Sequence, residues 1–87
     1  MAAVLFVDDE PHLLEGIARS LHHHFAVSTA TSAAEGLRVL KACGPFAVVV
    51  SDMRMPEMNG AQFLGKVREL APDSVRIILS GQADLQQ

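Results

Sequence analysis

Apolar residues follow two rhythms along this chain. Residues 4–7, 47–50 and 75–79 are short, almost unbroken aliphatic runs, the pattern of strands buried on both faces of a parallel sheet. Between them the apolar positions recur every three or four residues: Leu14, Ile17, Ala18 and Leu21, then Ala34, Leu37 and Leu40, then Phe63, Leu64, Val67 and Leu70. That spacing predicts three amphipathic helices. Start and stop residues agree with it. Pro11 suits the first turn of a helix, Ser32-Ala33-Ala34-Glu35 predicts a capping box, Asn59 is an N-cap with Gln62 three residues on, and Pro72-Asp73 ends the third helix. A weaker strand, 26–29, follows the first helix. The order β-α-β-α-β-α-β, with right-handed crossovers, predicts an α/β fold with a doubly wound parallel sheet.

Polar residues enter this pattern at telling places. Asp8-Asp9-Glu10-Pro11, Ser51-Asp52-Met53-Arg54-Met55-Pro56-Glu57-Met58-Asn59-Gly60 and Ser80-Gly81 each follow a strand-like run. Open α/β sheets bind ligands at the carboxyl ends of their strands, so the three strings converge on one cleft. Taken singly, each has a bland reading: acids favouring a helix N-terminus, an exposed loop acid, a turn. Their joint occurrence at three strand ends points to a site. A carboxylate there can attack phosphorus and form an acyl phosphate, and Asp52 is the candidate. The incoming phosphoryl charge would face Asp8, Asp9 and Asp52 itself, which calls for a divalent cation. Magnesium suits carboxylate, carbonyl and water oxygens. Asp8, Asp9, Asp52 and the backbone carbonyl of Arg54 are its candidate ligands. Ser80 would donate its hydroxyl to a phosphoryl oxygen, Gly81 would let the backbone approach closely, and Pro56 and Gly60 would shape the loop.

Composition narrows the alternatives. At 87 residues, 49% apolar and 20% charged, the chain suits one compact domain and excludes disorder. A formal charge of −3, with seven Lys and Arg spread along the chain, argues against a nucleic-acid surface. Cys43 is the single cysteine and cannot form an internal disulfide; it is expected as a small buried apolar residue. There is no signal-peptide pattern and no apolar stretch long enough to span a bilayer, so a cytoplasmic location without membrane contact is expected. His22-His23-His24 are consecutive and cannot all ligate one metal, so they are expected to end a helix. Met53, Met55 and Met58 are expected to pack in the core and loop.

Together the acidic pair before Glu10-Pro11, the aspartate in the 51–60 string and the Ser80-Gly81 pair resemble, in order and spacing, the receiver domain of two-component response regulators. The resemblance implies a flavodoxin-like fold with strand order 2-1-3-4-5. It also implies that Asp52 accepts phosphate from a sensor histidine kinase, that Asp8 and Asp9 organise magnesium, that Ser80 responds to the phosphoryl group, and that an output domain or partner is switched. Residues 76–85 are further similar to receivers fused to cyclic-dinucleotide phosphodiesterase domains. The family's fifth strand, with its lysine and switch aromatic, has no counterpart in the sequence, and Lys41 and Lys66 lie on predicted helices. A further helix, strand and helix would take roughly 35 residues. The chain therefore reads as the front two-thirds of a domain, with an uncovered fourth strand that favours a homo-oligomer. Two other classes compete. A magnesium-dependent aspartyl phosphatase needs a second acid two residues after its nucleophile, where this chain has Arg54; a receiver-like module that never carries phosphate would not need the acids. A phosphoacceptor signalling domain, not an enzyme, is the expectation.

Overall fold

The computed structural model describes residues 1–79, in which seven elements alternate: β1 (Ala3–Val7), α1 (Pro11–Leu21), β2 (Ala26–Ala30), α2 (Ala33–Cys43), β3 (Val48–Asp52), α3 (Gly60–Leu70) and β4 (Val75–Leu79). The four strands are parallel, in the order β2-β1-β3-β4. This is the doubly wound, flavodoxin-like α/β arrangement that the alternation of runs predicts.

Alternation along the strands separates two faces. Leu5, Val7 and Val49 join Leu40, Phe63, Leu64 and Val67 in one core under α2 and α3, which pack against each other. Val4 and Val50 point to the opposite face, and they and Leu14 of α1 are buried apart from that cluster. Gly36 is what lets α2 settle: a Cβ there would press on the Phe63 ring and on Val7 at 3.0 Å. β4 is the poorly covered element. Among the described residues it pairs with β3 alone, and Val75, Ile77 and Leu79 are 57%, 42% and 48% exposed.

Several boundaries and contacts differ from the sequence reading. β3 does not stop at Val50 but runs to Asp52, because pairing with both β1 and β4 carries the polar Ser51 and Asp52 into the sheet. β1 begins one residue early, at Ala3, and β2 continues to Ala30. The capping box at Ser32 is half formed. The Ser32 hydroxyl accepts the Glu35 N–H at 3.1 Å, but the Glu35 carboxylate reaches back to Thr31, whose N–H (3.1 Å) and hydroxyl (3.2 Å) offer two donors in place of one. At α3 the box is complete: Gln62 N–H to Asn59 Oδ1 at 2.8 Å, and Asn59 N–H to Gln62 Oε1 at 3.0 Å. Cys43 is exposed, not buried, since it is the last residue of α2 and faces away from the core. Pro11 occupies the first turn of α1, and His22 caps its other end with Nδ1 2.9 Å from the Arg19 carbonyl.

Candidate metal centre

The ends of β1 and β3 bring the acids together. These strands are neighbours, and their register sets Val7 opposite Ser51, so the next residues, Asp8 and Asp52, lie side by side at the carboxyl ends of the two strands. Asp8 is fixed by the backbone on both sides of it. Its N–H continues the ladder to Ala30 at 3.1 Å, and its Oδ1 accepts the Glu10 N–H at 2.9 Å, turning the chain toward Pro11 and α1. Carboxylate oxygens of Asp8, Asp9 and Asp52 all lie within 4.8 Å of one another. Asp8 and Asp52 are half-buried and Asp9 is exposed.

Such a cluster is electrostatically unfavourable by itself. Burial pushes the Asp8 carboxyl above its ordinary value of 3.8, and the charges of Asp52, Asp9 and Glu10 push it the same way against the Glu10 N–H. An all-oxygen donor set of this kind, within reach of one ion and repelling itself, fits a hard divalent cation such as magnesium. Among the described residues it is the one group of three or more His, Cys, Asp or Glu side chains close enough to hold a metal. The histidines 22–24 lie at the C-terminus of α1, outside it.

The loop that leaves Asp52 is tied at both ends. Gly60 N–H donates to the Met53 carbonyl at 2.9 Å, and a Cβ at Gly60 would collide with the Asp52 carbonyl oxygen, so only glycine fits where α3 begins. Met55 is buried in the core and Met58 packs against it. Between them Met58 N–H reaches the Pro56 carbonyl at 2.7 Å, and Glu57 adopts a left-handed φ of 72°. Arg54 is exposed on this loop, two residues beyond Asp52. Ser80 and Gly81 lie outside the described residues. Ser51, to which the sequence assigns no role, is wholly buried and its hydroxyl donates to the Asp52 carbonyl at 2.9 Å.

Residues 4–87 match the response regulator receiver domain. Over 83 residues, 95% of its length, the chain is 43% identical to the hydrogenase transcriptional regulatory protein HoxA of Cupriavidus necator, of which it covers 17%. It superposes with a TM-score of 0.88 and 37% identity on a response regulator receiver domain protein from Clostridium thermocellum, covering 98% of this chain and 69% of that one. The response regulator TrrA from Thermotoga maritima, solved in complex with Mg2+ and BeF, gives a TM-score of 0.85 at 28% identity over 99% of this chain and 75% of that one. The chain thus spans less than a fifth of the first curated relatives.

Proposed function

Because the chain belongs to the receiver domain family of two-component response regulators, we propose that Asp52 is its phosphoacceptor, that Asp8, Asp9 and Asp52 hold magnesium, and that a sensor histidine kinase is the donor. The observation that carries this reading is the meeting of the three carboxylates within 4.8 Å at the ends of β1 and β3. TrrA, solved with Mg2+ and BeF, supports the choice of ion. In the transfer, an Asp52 oxygen forms a bond to phosphorus as the bond from phosphorus to the donor's imidazole nitrogen breaks, and the imidazole leaves with that electron pair. Magnesium, when bound, neutralises charge that the three carboxylates and the phosphoryl oxygens would otherwise share. The Arg54 carbonyl would add a ligand oxygen, and the resemblance gives Ser80 the role of donating its hydroxyl to a phosphoryl oxygen and Gly81 that of leaving room for it.

The domain works as a switch, without substrate turnover. Arg54 stands where an aspartyl phosphatase would need an acid, and a guanidinium cannot protonate a leaving group. The domain acts in the cytoplasm, and its phosphorylated state is read by an output domain or partner. A transcriptional output follows the name of the Cupriavidus necator relative; a cyclic-dinucleotide phosphodiesterase is the alternative suggested by residues 76–85. Intact mass after incubation with a small acyl phosphate and magnesium tests the acceptor. Labelling is expected at Asp52 alone, and poor or absent, because Lys41 and Lys66 both lie on helices and no lysine accompanies the acids among the described residues. An adduct that survives Asp52→Asn removes Asp52 from its role.

A further inference from the structure

Ser51 is the fully buried polar side chain nearest the acids, and its place in the sheet gives it a task. By alternation it points to the face that carries Leu5, Val7 and Val49 beneath α2 and α3, and the register sets it between Val7 and Ile78. Alanine or valine would fill such a position without burying a polar atom, whereas a hydroxyl there needs a partner. Its partner is the carbonyl of the residue proposed to take the phosphoryl group, at 2.9 Å. Gly60 backs onto that same carbonyl, and the next one, of Met53, accepts the Gly60 N–H at 2.9 Å. The two peptide planes that follow the Asp52 Cα are therefore each held, one by a hydroxyl rising from the core and one by the first amide of α3. What remains free is the Asp52 side chain, whose direction the Cα frame sets. The Ser51 side chain is buried beneath the sheet face and donates its hydroxyl to the Asp52 carbonyl. It can act on the site only through the backbone.

Resting on the metal-site reading above, we propose that Ser51 is a positioning residue: its buried hydroxyl clamps the peptide after Asp52 and so aims the Asp52 carboxylate at the site it shares with Asp8 and Asp9. Small misplacements of a ligating group weaken a metal site although every ligand is still present. The test is a magnesium titration of the full chain, followed by backbone amide shifts at Asp8, Asp9 and Asp52, with a thermal melt of each variant beside it. Ser51→Ala is expected to raise the magnesium dissociation constant about tenfold, and Ser51→Cys, which keeps the volume but donates weakly, to do nearly the same. Ser51→Thr keeps the hydroxyl and is expected to retain most of the affinity. Ser74→Ala is the structural control, since it removes another buried serine hydroxyl, bonded to the Phe46 carbonyl at 2.6 Å. It is expected to lower the melting temperature and leave the affinity alone. Wild-type affinity in Ser51→Ala or Ser51→Cys, or a loss in Ser51→Thr as large as in Ser51→Ala, overturns the positioning role. A wild-type titration indistinguishable from that of Asp9→Ala overturns the metal-site reading itself, so the two failures are distinct.

Discussion

Asp8 shows how a residue proposed to hold the ion acts against the fold that presents it. Burial first, and then the charges of Asp52, Asp9 and Glu10, raise its folded pKa above 3.8. Above that raised value both the folded and unfolded chains carry the charge, and the folded one bears the cost. As pH falls through it, the folded state takes up a proton ahead of the unfolded state and stability rises, the gain being complete below 3.8. Asp8→Asn is therefore expected to raise the melting temperature at pH 7 and to give no such gain below pH 3.8; equal melts at pH 7 would show that the cluster does not destabilise the fold. The acids are legible in the sequence because they close apolar runs and so fall at the carboxyl ends of strands. Ser51 is not legible in the same way. A serine before Asp52 looks like the start of a loop, and only the pairing of β3 with β1 and β4 shows that it is a core position with its hydroxyl turned back on Asp52.

Among the elements, α2 carries a cap with its reciprocal arm turned elsewhere. Its first turn is held by Ser32 Oγ on the Glu35 N–H, while the Glu35 carboxylate binds Thr31 and lies 3.2 Å from Arg38. Ser32→Ala is expected to cost about 1 kcal/mol in denaturant unfolding; a change within error would show that Glu35 and Thr31 hold the turn alone. The Thr31 N–H, ahead of the Thr31 hydroxyl and Arg38, also lowers the Glu35 pKa below 4.5. Its contribution is accordingly present above 4.5 and is lost as pH falls through the lowered value, opposite in sign to Asp8. Elements bounded by prolines or strong caps are readable from sequence, as with Pro11 for α1, Asn59 for α3 and Val75–Leu79 for β4. The end of β3 is not, because polar residues there break the run of valines while the ladder to its neighbours continues. Cys43 fails for a related reason: the residue type suggests burial, but its place at the end of α2 decides.

On the scale of the molecule, the two sides of the sheet are unequally finished. The α2/α3 side holds the larger core, whereas β4 leaves Val75, Ile77 and Leu79 on the other side about half-exposed along an unpaired edge among the described residues, and Ile78 exposed as well. Exposed apolar surface gains roughly 25 cal/mol per Å2 when covered, and a bare strand edge templates further pairing. The 87-residue chain is therefore expected to form a two-fold homodimer or larger oligomer at micromolar concentration. Light scattering on a size-exclusion column checks this, and a clean monomer with a cooperative melt would show that the edge closes itself. The adjacency of β1 and β3 has a consequence for time as well as for place. Asp8 and Asp52 are 44 residues apart in the chain, with α1, β2 and α2 between them in sequence, and become neighbours only when β3 pairs with β1. Closures of that span are the slow events of folding. Asp52 thus does not face Asp8 and Asp9 until that pairing forms, and a divalent ion held by the three is expected to slow unfolding more than it speeds folding.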